Sequence, residues 1–456
     1  MATICITQRN KKKTTMEIKF EIIGRETIKP YSPTPHHLRR YKLSSRDQFS
    51  PQQYIPVVFF YINPSHTARG SGIDGGGESY DETANVRSEH LKESLSKTLT
   101  HFYPLAGRLR DNLSVDCNDE GADYLEARVT NCRVSNILER LDVEEMYQLF
   151  TTIPTDVYNS PLLLVQVNFF PCGGMAVCVS ISHKIVDGVA FSAFVKAWSC
   201  ITRGSHDPVV PDFSAASSRF PPIEDFPVPS IVFPQISQKI VSRRFVFDAS
   251  KVDALKAKVA SASVQLPTRV EAVTALVWKC AVTSSRSYAL GTSPAPSPRT
   301  YALTGAVNLR PRLMPPLPKY AFGNVSGLLW AMLDNNKDEI IDLPDMVCQL
   351  RKGIEQSTDN NFTTKATYLM RAKKDEMDVY RQSSWCRFSL YEVDFGWGNP
   401  TYAVLVLMDA PIGIGLHDTR DGDGVEVWMT LKEEDMALFQ GDKELLAFAS
   451  PNPSAL

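Results

Sequence analysis

The chain has 456 residues, of which 43% are hydrophobic, so it can bury a sizeable core, which we expect to be divided between two domains. Lysine and arginine number 49 and aspartate and glutamate 51, and the formal net charge of -2 gives no global attraction for nucleic acid or an anionic membrane. No apolar run approaches the ~18 residues that a membrane span needs. We therefore expect neither nucleic acid nor a membrane as a partner.

The nine cysteines are odd in number and scattered, without a C-x-x-C pair or the Cys/His spacing of a zinc site. We therefore expect reduced thiols, a cytoplasmic location and no metal site. Residues 1–16 are basic and threonine-rich, without an acidic residue. They resemble a poor transit peptide, and a disordered tail before a second possible start at Met16 is the preferred interpretation.

The first predicted elements are strands at residues 17–29 and Ile55–Tyr61. Residues 64–83 are glycine-rich and acidic, which predicts a flexible surface loop. The loop contains a G-x-G-x-x-G string at 70–75, but no strand or helix adjoins it and its acidic residues would repel a pyrophosphate. Ser88 then has the character of an N-cap, and apolar residues follow at helical spacing: Leu91, Leu95, Leu99 and Phe102.

Two apolar runs then predict a β-hairpin. Leu162–Phe170 and Met175–Ile181 are separated by a turn at Cys172-Gly173-Gly174. The second run leads directly into Ser182-His183-Lys184-Ile185-Val186-Asp187-Gly188, and an amphipathic helix is predicted for Ala190–Ile201. A histidine in such a strand-to-helix turn would be held firmly by the elements on both sides.

The C-terminal half begins with a proline-punctuated stretch, residues 204–240, which predicts a long crossover between two domains. A strand at Arg244–Phe247 and helices at Val252–Ala260 and Arg269–Val282 follow, and residues 291–299 form a Ser/Pro loop. Strands and helices that alternate with antiparallel hairpins indicate mixed α/β sheets rather than one doubly wound sheet.

His183 and Asp187 form the candidate catalytic motif of the sequence. An imidazole in this position can act as a general base, and an aspartate four residues later can fix the turn. The alternative is an ordinary loop histidine beside a helix-capping aspartate. The other seven histidines lack a comparable setting, and nothing indicates that any of them converge on a metal.

A second distinctive segment is Asp394-Phe395-Gly396-Trp397-Gly398, in which two glycines allow a sharp backbone turn. We expect the Asp394 carboxylate to anchor this turn through an ion pair. The segment is interpreted as a structural loop that shapes a site rather than one that performs chemistry.

Together, the His183/Asp187 string and the 394–398 segment about two hundred residues later resemble the plant BAHD acyl-CoA-dependent acyltransferases, most closely the vinorine synthase and salutaridinol acetyltransferase group. The resemblance covers about residues 18–440. The segments that support the family are Tyr103–Arg108, Asn308-Leu309-Arg310, Phe322-Gly323-Asn324 and Ser384-Trp385. Those that support the group are Ser32–Pro35, Val115–Asp119, His183–Ile185 and Gly422–Trp428.

The sequence departs from the pattern at two positions. Arg46 precedes Asp47 where the family usually has an apolar residue. Gly188 follows Asp187 where the alkaloid-acetylating members tend to have another small or aliphatic residue. Both departures weaken the transfer of a particular alkaloid acceptor to this chain.

The resemblance implies an α/β fold of two chloramphenicol-acetyltransferase-like domains, with mixed β-sheets and a channel at their interface. The expected organisation is a disordered tail at 1–16, an N-terminal acyltransferase domain at 17–204, a crossover at 205–242 and a C-terminal acyltransferase domain at 243–456.

The resemblance also implies roles for individual residues. His183 would be the general base, and Asp187 would point away from substrate and pair with an arginine, for which Arg310 is the candidate. Ser384 and Trp385 would line the site or steady an oxyanion.

Further residues would bind CoA or shape the site. The turn that contains Asp394, Gly396 and Trp397 would shape it. Lys256, Thr268 and Arg269 match positions where the family contacts CoA phosphates, and ordinary solvated helix charge is the alternative for the two basic residues.

The implied reaction is acyl transfer, with acetyl expected, from acyl-CoA to a hydroxyl of a plant specialised metabolite, without a covalent acyl-enzyme or a permanently bound cofactor. The enzyme is expected to be a monomer. An amine acceptor is the first alternative, and a catalytically silent binding relative is the second. A thioesterase is disfavoured, because the family's channel is built to admit an acceptor.

Overall fold

The structure is a computed structural model that describes residues 15–63, 77–154, 156–205, 207–225, 239–290, 300–333, 342–358, 377–406 and 412–456. Most of the predicted tail, the glycine-rich string at 70–75 and the Ser/Pro loop at 291–299 lie outside these ranges. In the described ranges, no helix combines the length and the apolar character needed to cross a membrane.

The first eight strands are β1 (Phe20–Ile28), β2 (Arg40–Lys42), β3 (Tyr54–Tyr61), β4 (Arg108–Leu109), β5 (Ser114–Asp116), β6 (Ala122–Val129), β7 (Leu163–Phe169) and β8 (Met175–Ser182). The others are β9 (Ile240–Phe247), β10 (Thr300–Asn308), β11 (Ser326–Leu333), β12 (Met377–Ser384), β13 (Tyr402–Leu405), β14 (Gly413–Asp418), β15 (Val425–Lys432) and β16 (Ser450–Pro451).

The α-helices in the described ranges are α1 (Ser45–Phe49), α2 (Gly77–His101), α3 (Val134–Arg140), α4 (Val143–Tyr147), α5 (Gly188–Thr202), α6 (Ala215–Arg219), α7 (Ala249–Val259), α8 (Arg269–Leu290), α9 (Leu343–Glu355), α10 (Glu433–Phe439) and α11 (Lys443–Phe448).

Two large mixed sheets organise the fold. The first has the order β1-β6-β7-β8-β3-β13, and the second has the order β11-β10-β12-β14-β15-β9-β16. Parallel pairs occur in both, β6 with β7 in the first and β12 with β10 and β14 in the second, among otherwise antiparallel neighbours. The predicted mixed α/β fold is confirmed. The channel between the halves stays a prediction.

Each large sheet has its own core. On the first sheet, the leucines of α2 at 91, 95 and 99 are fully buried together with α5 residues such as Phe191 and Trp198. The Trp198 indole donates to the Ser94 hydroxyl at 3.0 Å, which joins α5 to α2. The second core contains α8 residues such as Trp278 and inward-facing residues of β14 and β15. Period-3.6 apolar stripes on helices over sheets account for both cores.

One strand departs from the chain order. β13 follows the second sheet's β12 in sequence but pairs antiparallel with β3 of the first sheet, from Tyr402 opposite Phe60 to Leu405 opposite Val57. The proposed division of the chain at 205–242 stays a prediction, and one strand from beyond it, β13, completes the first sheet.

Three predicted boundaries were wrong by four residues or more. α2 begins at Gly77, so residues 77–83 are helical, and Ser88 lies inside the helix, where its hydroxyl bonds Tyr124 and Glu126 rather than capping. β9 begins at Ile240, because residues 240–243 extend its pairing with β15. α8 continues to Leu290, eight residues beyond the apolar stripe that predicted it, because no glycine or proline interrupts that segment.

Candidate active site

His183 lies in the turn between β8 and α5, as the hairpin and helix patterns predicted. All eight residues of β8 are buried, which fixes the start of the turn. The His183 N–H donates to the Gln53 carbonyl at 2.7 Å, and the His183 carbonyl accepts from the Asn324 side-chain amide at 2.9 Å. The peptide groups on both sides of this residue are therefore fixed, one by the N-terminal half of the chain and one by the C-terminal half.

Burial lowers the pKa of His183 below its ordinary value of 6.5, although nearby backbone oxygens and the Asp187 charge act in the opposite direction. An imidazole in poorly hydrated surroundings favours its neutral form, because charge is poorly solvated there. At neutral pH the ring is therefore uncharged, and its free nitrogen is able to accept a proton.

Asp187 combines the two roles that the sequence left as alternatives. Its Oδ1 caps α5 by accepting the Ala190 N–H at 2.9 Å. The same carboxylate forms a two-point ion pair with Arg310, at 2.7 Å and 3.1 Å, and accepts the Val325 N–H at 3.0 Å. These bonds turn it towards the C-terminal half and fasten the turn there.

Arg310 is buried, with 1% of its surface exposed. Besides the Asp187 carboxylate, its guanidinium donates to the Ala321 and Gly323 carbonyls at 2.7–3.1 Å. A guanidinium with its donors satisfied in this way is stable in the interior, whereas either ionic partner alone would be a costly buried charge.

Residues 385–398 follow α5 along its length. At the first turn of α5 the Phe388 ring lies so close to Gly188 that a Cβ there would be 2.5 Å from the ring, and the Ser192 hydroxyl donates to the Phe388 carbonyl at 2.7 Å. Near the far end Phe395 packs against Trp198 with ring centroids 4.8 Å apart. The segment therefore holds the helix whose N-terminus adjoins His183.

Asp394 anchors its turn differently from the prediction. Its Oδ1 accepts the N–H groups of Gly396 and Gly398 at 2.7 and 2.9 Å, and among the described residues its carboxylate has no cationic partner. The expected ion pair was therefore wrong, and the carboxylate instead anchors the turn through two backbone donors on one of its oxygens. Gly396 and Gly398 have φ of +106° and +97°, which only glycine adopts readily.

Trp397 and the rest of this turn lie away from His183. The Trp397 ring contacts Tyr61 with centroids 6.1 Å apart, and the Arg87 guanidinium lies 5.4 Å from its centroid. Trp198, which Phe395 contacts, is eleven residues beyond Asp187, or ~16 Å along a helix. The turn therefore contacts the far end of α5 rather than the end that adjoins His183.

Ser384 ends β12, and Trp385 follows it with its N–H bonded to the Leu416 carbonyl at 2.7 Å. The Trp385 ring lies between Phe191 and Phe388, with centroids 5.6 and 5.4 Å away, and its indole N–H donates to the Ser383 hydroxyl at 3.1 Å. These contacts place Trp385 beside the first turn of α5, and Ser384 immediately precedes it in the chain. Their role at an oxyanion stays a prediction.

The three predicted CoA contacts each have a partner within the protein. Lys256 approaches Asp253 at 3.3 Å on an exposed surface of α7. Thr268 forms a reciprocal capping box with Glu271 at the start of α8. Arg269 is ion-paired with Asp418 at 2.5 Å. CoA binding by these residues stays a prediction.

The sequence did not assign a role to Asp47, Lys184 or Asn324, which surround the turn. Asp47 and Asn324 are almost completely buried, and Lys184 donates to the Gln48 carbonyl at 2.6 Å. The available signals were the capping-box pattern from Ser44 to Asp47 and a lysine directly after a buried strand. Among the described residues no group of three metal-ligating side chains occurs.

Comparison with known proteins identifies the family of this chain. A model of the Transferase family matches residues 18–446. Vinorine synthase of Rauvolfia serpentina is 38% identical over 436 residues, which cover 93% of this chain and 96% of that protein. A crystal structure of vinorine synthase matches with a TM-score of 0.79 at 35% identity, over 96% of this chain and 100% of that one.

Two further relatives differ in the atom that their names say they acylate. Stemmadenine O-acetyltransferase of Catharanthus roseus is 34% identical over 437 residues, covering 94% of this chain and 97% of that protein. The 17,18-epoxy-17-hydroxycur-19-ene N-malonyltransferase of Strychnos nux-vomica is 37% identical over 455 residues, covering 96% and 92%.

Proposed function

The chain belongs to the Transferase family of BAHD acyltransferases, and from this premise we propose that it transfers an acyl group, preferentially acetyl, from acyl-CoA to a hydroxyl of a plant specialised metabolite. The names of relatives such as stemmadenine O-acetyltransferase support an alcohol acceptor and an acetyl donor. The cysteines that the structure describes are free thiols, which supports a cytoplasmic enzyme, and we propose that it acts as a monomer.

The observation that carries this proposal is the neutral imidazole of His183 on a turn fixed at both peptide groups. An alcohol is a poor nucleophile at neutral pH, and a positioned base contributes typically ~10²–10⁴-fold to such a reaction. His183 takes the hydroxyl proton as the oxygen attacks the thioester carbonyl. The C–S bond of the tetrahedral intermediate then breaks, and the departing CoA thiolate takes the proton from His183.

This scheme needs no covalent intermediate, because the thioester is already an activated donor. Ser384 and Trp385 are proposed to lie beside the reacting carbonyl, and Lys256, Thr268 and Arg269 are proposed as contacts for the CoA phosphates. Asp187 and Arg310 would keep the turn in place without touching substrate, as their mutual ion pair supports.

An amine acceptor is the second candidate, favoured by the similarity to an N-malonyltransferase. The same base would serve, since an amine also loses a proton after attack. A catalytically silent relative is disfavoured because His183, Asp187 and Arg310 are all in place.

The purified chain should be assayed with acetyl-CoA, malonyl-CoA and longer acyl-CoA donors against terpenoid, phenolic and indole alcohols and matching amines. Free CoA thiol and the product mass are measured together. We expect thiol release in proportion to a product that has gained one acetyl group on oxygen. Acylation of amines alone would support the second candidate, thiol release without product would indicate a thioesterase, and no release with any pair would contradict enzymatic activity.

A further inference from the structure

The backbone of His183 is held in place by Asn324, which lies 141 residues away in sequence. The Asn324 side-chain nitrogen donates to the His183 carbonyl at 2.9 Å and to the Asp47 Oδ1 at 2.9 Å. An amide nitrogen has two hydrogens, so these two bonds use both of them. The orientation of Asn324 is therefore set by Asp47 on one side and by the histidine turn on the other.

Asp47 divides its carboxylate between two tasks. Its Oδ2 closes the capping box of α1 with the backbone N–H and hydroxyl of Ser44, at 2.8 and 2.7 Å. Its Oδ1 accepts both the backbone N–H of Asn324 at 2.7 Å and the Asn324 amide. One oxygen therefore stabilises the carboxylate's own helix, and the other binds a residue of the C-terminal half.

Asp47 has no solvent-exposed surface, and burial raises its pKa. Lys184, the neighbour of the histidine, is equally buried, and burial lowers its pKa to about 8 while the Asp47 charge acts in the opposite direction. The lysine donates to the Gln48 and Ser50 carbonyls at 2.6 and 3.3 Å. The end of α1 therefore also binds the residue that follows His183.

α1 contacts the crossover as well. The Gln48 side chain makes a reciprocal pair of bonds with the Ile223 backbone, at 2.9 and 2.8 Å, and the Ser45 N–H donates to the Phe220 carbonyl at 2.9 Å. This helix of five residues thus joins the crossover, the histidine turn and the C-terminal segment that contains Asn324.

We propose that Asp47 is a positioning residue for acyl transfer, which acts through Asn324 on the peptide group of His183. The inference rests on the proposed function, because it assumes that His183 is the base. Asp47 touches neither substrate. It fixes the imidazole relative to the acceptor hydroxyl, and a misplacement of ~1 Å costs on the order of 10²-fold in rate.

Four variants separate positioning from helix capping. Asn324→Ala removes the bond to the His183 carbonyl, and Asp47→Ala removes the group that orients Asn324. Asp47→Asn keeps one acceptor oxygen for Asn324 and serves as the conservative variant. Ser44→Ala is the matched control, because it weakens the capping box and leaves the Oδ1 bonds intact.

We expect kcat to fall about 100-fold in Asn324→Ala and Asp47→Ala, with KM for both substrates changed less than about two-fold, because the loss is in orientation rather than binding. Asp47→Asn should recover most of the lost kcat. Ser44→Ala should lower the melting temperature and keep the wild-type kcat. If Asp47→Ala does not fold, Asn324→Ala still tests the hydrogen-bond chain from Asp47 through Asn324 to His183.

The inference is overturned if Asn324→Ala keeps the wild-type kcat, if the losses are in KM, or if Ser44→Ala lowers kcat as much as Asp47→Ala. Failure of the proposed function would look different, since the unaltered chain would then release no CoA thiol. The imidazole Cε1–H NMR signal of His183, assigned by its absence in His183→Ala, gives a readout without turnover. It should shift in Asn324→Ala and not in Ser44→Ala, and an unshifted signal in both overturns the inference.

Discussion

Two histidines with lowered pKa values occupy different parts of the molecule, and of the two His417 is buried whereas His183 is partly exposed. His183 lies at the end of β8 in the first sheet, and His417 lies within β14 of the second sheet, opposite Glu426 of β15. Burial lowers the pKa of each, and for His417 burial and the positive charge of Arg244 lower it to about 3. Both rings are therefore neutral at pH 7.

The difference lies in the backbone around each ring. His417 sits in the sheet ladder at 4% exposure, beside the Arg244–Glu426 ion pair that Tyr402 also joins. His183 has left the ladder and lies in a turn whose two peptide groups are bonded to opposite halves of the chain. A neutral imidazole is thus common to both regions, but the ring in the sheet is buried, whereas the ring in the turn is partly exposed.

The largest expected effect is on turnover. His183→Ala should lower kcat by ~10²–10⁴-fold, because the proposed general base is removed. His417→Gln should keep the wild-type kcat, because the ring it replaces is confined within the sheet. Steady-state CoA release measures both. A large loss of kcat in His417→Gln, with a normal circular dichroism spectrum, would remove the distinction between the two regions.

The turn itself depends on the buried ion pair, so Asp187→Asn should lower the free energy of unfolding by about 3–5 kcal/mol, because Arg310 would remain charged in the interior. Urea unfolding measures this change. Asp142→Asn is the control, because Asp142 caps the short helix α4 and asparagine caps equally well. Equal stability of the two variants would show that the pair contributes little.

The two histidines should also make stability depend on pH. A histidine whose pKa is lowered by folding binds more protons when unfolded, so stability is complete above pH 6.5 and falls as the pH drops towards the folded pKa. For His417, whose folded pKa is about 3, the loss between pH 6.5 and 4.5 should be about 2–3 kcal/mol. Urea unfolding at both pH values should show a smaller loss in His417→Gln. If the unfolding free energy of His417→Gln falls with pH as steeply as that of the unaltered chain, His417 is not the group responsible.

The smallest expected effect concerns the far end of α5. Gly396→Ala should cost about 1–3 kcal/mol, because the backbone at φ +106° is strained for any other residue although there is space for the methyl group. Gly441→Ala, at a glycine outside the positive-φ region, is the control and should be close to neutral. Thermal unfolding compares them. Equal melting temperatures would mean that the turn tolerates a side chain.

Features that depend on neighbouring residues were predictable from the sequence, whereas contacts between distant residues were not. The hairpin before His183 and the helix after it were predictable, because apolar periodicity and turn residues are local signals. The Asp187–Arg310 pair came from family resemblance, since 123 residues separate its members. The bonds from Asp47 to Asn324 span 277 residues and left no local signal beyond a capping pattern. The partner of Asp394 was misjudged because backbone donors do not appear in a sequence.

The pairing of β13 with β3 also limits how this protein could be recombined. A fragment that ends in the crossover would leave the hydrogen-bonding edge of β3 open, although all eight of its side chains are buried. Exposed apolar edges of this kind invite association between chains. In a chimaera with a relative, residues 402–405 should therefore come from the same protein as the N-terminal half whose sheet they complete.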